Sequence, residues 1–71
     1  MAEKQIRNAM TTIYDEGTVN AAQVYKGTDY DGTGIRTGWF ARLFGQTATY
    51  LGKSVSDALE TIEQIASSRE Q

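Results

Sequence analysis

The chain contains no cysteine and no histidine. Those two absences remove much of the chemistry open to a small protein. Imidazole and thiolate supply the usual general base, the soft nucleophile and the ordinary zinc ligands, so His-based triads, cysteine nucleophiles and ordinary zinc sites are excluded. Disulfide and metal staples, on which small domains lean, are excluded with them. Long hydrophobic runs are missing too. No apolar stretch approaches the roughly 20 residues that cross a bilayer, and the charged opening Met1-Ala2-Glu3-Lys4 lacks the apolar segment of a signal peptide. A cytoplasmic protein with no membrane partner is expected.

What remains is a chain of 71 residues, too short for a second core and able to bury only about 60% of the surface its unfolded form exposes. One domain over residues 1–71 is expected, supported by a partner or by self-association as a homodimer. Net charge is −2, from 9 acidic and 7 basic side chains, so no global field gathers nucleic acid or anionic lipid. The charges are nevertheless segregated. Residues 1–17 set Lys4 and Arg7 against Glu3, Asp15 and Glu16, and residues 54–71 set Arg69 against Asp57, Glu60, Glu63 and Glu70. Between them, Lys26, Arg36, Arg42 and Lys53 outnumber Asp29 and Asp31. A basic middle lies between two acidic ends.

Ile6, Ala9, Met10, Ile13 and Tyr14 fall at i, i+3, i+4, i+7 and i+8, one stripe of a helix over about Glu3 to Glu16, with Gly17 placed to end it. Val55, Ala58, Leu59, Ile62, Ile65 and Ala66 keep the same period, and Ser54 with Asp57 three residues later has the form of a capping box. A C-terminal helix over Val55–Ser67 follows. Between the helices, 38–44 and 47–52 are rich in aromatic and threonine residues and read as strands joined by a two-residue turn at Gly45-Gln46. In that register Ala41 faces Tyr50 and Phe40 faces Leu51. Residues Thr18 to Lys26 suit either a first strand or a short helix capped by Asn20, with the strand preferred because a lone hairpin is barely stable. The glycines at 27, 32, 34 and 38 mark a long polar loop. The expected fold is α+β: an N-terminal helix, a small antiparallel sheet of two or three strands, and a C-terminal helix, with Met10, Ile13, Trp39, Leu43, Leu59 and Ile62 in one core.

Few motifs carry chemistry. Asp29, Asp31 and Thr33 before Gly34 open like an EF-hand loop, but Phe40 stands where the bidentate glutamate belongs. A solvated turn built on Asp and Gly accounts for the same residues. A phosphate cradle is opposed by those carboxylates, and Ser54 after Lys53 is explained as a helix cap. No catalytic residue, cofactor or metal is expected.

The predicted hairpin has one apolar face, Trp39, Ala41, Leu43, Ala48 and Tyr50, and a second that carries Phe40, Arg42, Phe44, Thr47, Thr49 and Leu51. Two phenylalanines flanking an arginine is a composition favoured at interface centres. The same residues also suit a second core layer, with the sheet between two helices. The pattern Trp39-Phe40-Ala41-Arg42, then Tyr50-Leu51-Gly52 and an Ala-Leu helix, resembles the sheet-and-helix unit of AP2-type DNA-binding domains and of some small antitoxins. That resemblance spans about the last 33 residues, and spacing departs from both families, so no residue's role is carried over. The expected function is a non-enzymatic, protein-binding regulator or inhibitor, of the short acidic kind that phages and mobile elements encode as anti-defence or antitoxin proteins. The alternative is a nucleic-acid binder with Lys26, Arg36 and Arg42 on phosphates and Tyr30, Trp39 or Phe40 stacking bases. The partner-binding candidates are Phe40, Arg42, Phe44, Arg36 and Tyr30.

Overall fold

A computed structural model describes residues 2–69. Helix α1 spans Ala2–Met10, α2 spans Glu16–Asn20, strands β1, β2 and β3 span Gln23–Tyr30, Ile35–Arg42 and Thr49–Gly52, and α3 spans Val55–Arg69. The fold is α+β, and the antiparallel sheet has three strands in the order β1-β2-β3. Helices α1 and α3 pack on each other and, with α2, cover one face of that sheet. Their shared core holds Ile6, Met10, Val19, Val24, Ala41, Leu51, Ala58 and Ile62, with Ile13, Trp39, Leu43 and Leu59 packed against its rim. All six expected core residues therefore lie in or against one cluster.

The first helix is shorter than the apolar stripe suggests. It stops at Met10 because Thr11 and Thr12 turn their hydroxyls onto the Asn8 and Ala9 carbonyls, at 2.6 and 2.8 Å, and so compete with further helical bonding. Ile13 and Tyr14 keep their place against the core from the turn that follows. Asp15 then caps α2, its carboxylate accepting the Thr18 amide at 2.9 Å. At the far end Arg7 takes over the orphan carbonyls, donating to Val19 at 3.0 Å and Ala22 at 2.8 Å while its Nε meets Glu3. Residues 18–26 are thus half helix and half strand, and the helix cap is Asp15 rather than Asn20.

The segment 27–38 is no loop. It completes a hairpin of two eight-residue strands, with Thr28 facing Thr37, Asp29 facing Arg36 and Tyr30 facing Ile35. The arm extends past the helices, so neither of its faces needs an apolar stripe, and its threonine and opposite-charge pairs supply cross-strand attraction instead. The turn is closed by the Asp31 amide on the Gly34 carbonyl at 3.2 Å.

The second hairpin corrects the expected register. Ala41 faces Thr49 and Phe40 faces Tyr50, and the ladder breaks before the Trp39 and Gly52 pair, leaving Leu51 as an unpaired bulge. The connection is also longer than two residues. Leu43 to Gln46 form a turn closed by the Gln46 amide on the Leu43 carbonyl at 3.0 Å, with Gly45 at φ 77° in its third position. Because strand residues alternate sides, that one-step shift exchanges Tyr50 and Leu51: Leu51 enters the helix-side core, and Tyr50 goes to the other face.

Candidate interaction surface

On the face away from the helices, Tyr25, Phe40 and Tyr50 form a row across all three strands. The Tyr25 ring stacks on Phe40 at 5.4 Å between centroids and 11° between planes, and Tyr50 leans on it from the other side at 5.3 Å and 60°. Phe40 is 0% exposed although it lies outside the helix-side cluster. Its cover is the sheet's own tyrosines, held down at both ends: the Tyr25 hydroxyl bonds Asp29 and the Tyr50 hydroxyl bonds the Thr37 carbonyl at 3.0 Å. Ala48 is buried outside the helix-side cluster as well. Asp29 and Tyr30 line a depression together with Arg42 and residues Gly45 to Ala48. The β1–β2 arm therefore curls back toward the loop after β2.

The five residues expected to meet a partner separate accordingly. Phe40 is corrected: it is a buried second-core residue and presents no surface. It is not sandwiched by helices either, because the covering layer is aromatic side chains of the same sheet. Arg36 lies above the Tyr50 ring at 6.0 Å and faces Asp31 at 3.6 Å, so its charge is already matched. Tyr30 is 57% exposed near the arm's tip, beside Ile35 at 76%. Phe44, second residue of the 43–46 turn, is 88% exposed. Arg42 donates from Nε to the Gln46 carbonyl at 2.9 Å and has no ion pair among the described residues.

Arg42 stands between two depressions. One holds Asp29 and Tyr30, and the other is walled by Ala21, Gln23, Leu43 and Phe44. The structure thus brings Arg42, Phe44 and Tyr30 around one loop, whose shape is set by the Arg42 bond to Gln46 and by Gly45. An exposed aromatic at the apex of a turn, beside an arginine with only Nε engaged, is what this surface offers to a partner. Sequence reasoning missed the aromatic row and the longer connection after β2 that sets Tyr50 opposite Phe40. The signal was an aromatic on each strand, and it becomes visible only once Tyr50 is set opposite Phe40.

The acidic residues serve the backbone. Asp31 accepts the Thr33 hydroxyl at 2.6 Å, the Thr33 amide at 2.9 Å and the Gly34 amide at 3.2 Å, and Asp29 accepts the Tyr25 hydroxyl and the Tyr30 amide. The Thr33 hydroxyl and amide hold Asp31 below the ordinary carboxylate range, and the Tyr25 hydroxyl does the same for Asp29. Burial pushes the Tyr25 hydroxyl up, and the bond to Asp29 adds to it. Both carboxylates are firmly ionised at neutral pH, far from the balance that acid–base catalysis requires. Among the described residues no three His, Cys, Asp or Glu side chains gather as metal ligands. Ser54 accepts the Asp57 amide at 3.2 Å, as a helix cap does. No helix among the described residues is long and apolar enough to cross a membrane.

Comparison with protein-family models, with curated proteins and with solved structures gives no match.

Proposed function

We propose that the chain is a small protein-binding module, a regulator or inhibitor of another protein, which docks through the loop after β2 with Phe44 as its anchor. The exposure of Phe44 carries this reading. Leaving a phenylalanine side chain in water forgoes about 1.5–3 kcal/mol of burial, and here the ring is held at the apex of a defined turn instead of collapsing onto the domain. Arg42 beside it and Tyr30 across the depression are residue types that dominate interface energetics. The matching partner surface is an apolar pocket rimmed by a carboxylate.

A nucleic-acid partner is less well supported. Lys26 pairs with Trp39 on the helix side of the sheet while Arg36 and Arg42 lie on the other side, so the cations do not share a face. Arg36 is matched by Asp31, and Asp29 stands in the depression beside Arg42. Phosphate binding wants the opposite arrangement.

The test is affinity capture from cell extract with the parent chain, Phe44→Ala and Arg42→Ala, with and without nuclease, followed by titration of what is captured. Phe44→Ala should melt as the parent does and lose affinity by about 30-fold, with little change between roughly 50 and 200 mM salt. Capture that survives Phe44→Ala undiminished, or disappears with nuclease, would overturn the reading.

A further inference from the structure

Asp29 and Arg42 face one depression of about 410 Å³, walled also by Tyr30, Gly45, Thr47 and Ala48. That volume lies within the roughly 300–1,000 Å³ of small-molecule sites. The two charges do not pair with each other. Arg7 and Arg36 each meet a carboxylate, at 3.2 and 3.6 Å, whereas Arg42 makes no ion pair among the described residues. Each charge is held by its own neighbours instead. Arg42 is tied through Nε to the Gln46 carbonyl at 2.9 Å. Asp29 accepts the Tyr25 hydroxyl on Oδ2 and, at 2.7 Å, the Tyr30 amide on Oδ1. The Tyr25 hydroxyl chiefly, and Arg42 more weakly, lower the Asp29 carboxyl, so the charges stand near each other across the depression without contact. Both keep hydrogen-bonding capacity. A carboxylate oxygen accepts more than one hydrogen bond, and a guanidinium donates from every nitrogen. Each Asp29 oxygen therefore has a site to spare, and the terminal nitrogens of Arg42 have no protein partner among the described residues.

We propose that this depression binds a free α-amino acid, with the ligand's carboxylate on the Arg42 guanidinium and its ammonium on Asp29. An anion alone is opposed by Asp29 and a cation alone by Arg42, so the site discriminates against either single charge. A zwitterion satisfies both, and bridges the gap that the two side chains leave between them. The free end of Arg42 is a planar fork of the kind that matches a carboxylate. Thr47 adds a hydroxyl to the wall, and Tyr30 and Ala48 are the apolar part of the lining, enough for a small side chain. Neither charge has to be pulled from an ion pair, and both side chains are already fixed, which lowers the cost of ordering the site. Asp29 and Arg42 are both exposed, so their contacts are screened by water, and dissociation is expected on the order of 1–10 mM. Phe44, the anchor of the protein-binding reading, lies outside this depression, so the two readings fail separately.

Titration of the isotope-labelled chain with L-alanine to about 50 mM, followed through amide chemical shifts, tests this directly. The shifts should saturate and should centre on Tyr30 and on the segment from Gly45 to Ala48. L-Alaninamide, which lacks the carboxylate, and N-acetyl-L-alanine, which lacks the ammonium, should each bind about tenfold more weakly or worse. Ammonium acetate carries the same two charges on separate ions and should not reproduce the saturating shifts. Asp29→Asn should weaken L-alanine about tenfold and bind it no better than N-acetyl-L-alanine. Arg42→Gln should weaken it about as much and bind it no better than L-alaninamide. Those two losses of selectivity are opposite in kind, which a general disturbance of the fold does not produce. A parent without saturating shifts over that range, shifts centred elsewhere, or an equal response to the blocked ligands or to ammonium acetate would overturn the proposal. Variants that keep the parent's full discrimination would overturn it as well.

Discussion

Gly38 is the most tightly constrained residue of the sheet. Its φ is 148°, and a Cβ built there would overlap the Gly52 carbonyl oxygen, which is main chain and cannot swing aside. Gly27 lies directly opposite on β1 and would meet nothing within 4 Å. The two therefore make a matched pair of tests at one cross-strand position. Gly38→Ala should cost on the order of 2 kcal/mol or more, because both the backbone angle and the contact are violated. Gly27→Ala should stay within about 0.5 kcal/mol of the parent. Urea melts decide it, and equal midpoints for the two variants would refute the close approach between β2 and the end of β3. Arg7 makes a different point at the same scale. In sequence it is one cation on a half-polar helix, yet its planar fork spans two carbonyls 12 and 15 residues away. Lysine has no such fork.

At the scale of elements, the aromatic row gives the sheet a second core that no helix covers. Phe40→Ala should cost about 3–5 kcal/mol, as for a fully buried ring, whereas Phe40→Leu should keep most of the burial and lose about 0.5–1.5 kcal/mol for each aromatic contact. An alanine variant that melts with the parent would mean that the tyrosines do not depend on the ring between them. How much was legible beforehand follows from which residues face a core on one side only. The stripe of α3 and its Ser54 cap were readable because period and cap agree, and the same period placed α1, though not its end at Thr11. The β1–β2 arm was not readable, since its residues face solvent on both sides and leave no alternation, and its glycines mimic a loop. The β2–β3 register failed at a single residue. Treating Gly45-Gln46 as a tight turn set Phe40 against Leu51, whereas the longer connection sets Phe40 against Tyr50, and the bulge at Leu51 then returns Trp39 to its expected place opposite Gly52. Among the candidate site residues, Arg42 and Phe44 kept their exposure and Phe40 did not, because the sequence does not say that Tyr25 and Tyr50 would close over it.

For the molecule as a whole, stability toward acid should be set by the carboxylates that hold its turns. Asp15 is lowered chiefly by the Thr18 amide, Asp31 by the Thr33 hydroxyl and amide, and Asp29 by the Tyr25 hydroxyl, each from an ordinary value of 3.8. A carboxyl whose folded value lies below its unfolded one binds fewer protons when folded, so stability rises with pH across that interval. The contribution is complete above about 3.8 and is lost as pH falls through the lowered values. Melting temperatures should hold level near neutrality and drop in strong acid, and replacing the three aspartates by asparagine should flatten the drop while lowering the plateau. An unchanged acid limb in that variant would place the acid sensitivity elsewhere. The packing of α1 against α3 has a consequence of another kind, in the order of events. The sheet closes through the short connections 31–34 and 43–48, whereas joining the two long helices closes the chain from Thr11 to Ser54, at an entropy cost of about 3 kcal/mol. Contacts bought with so long a loop form late. Ile6→Val on α1 should therefore leave the refolding arm of a chevron in place and steepen escape from the native state, whereas Thr28→Ala and Thr37→Ala in the arm should slow refolding itself; a refolding rate that falls with Ile6→Val would reverse that order.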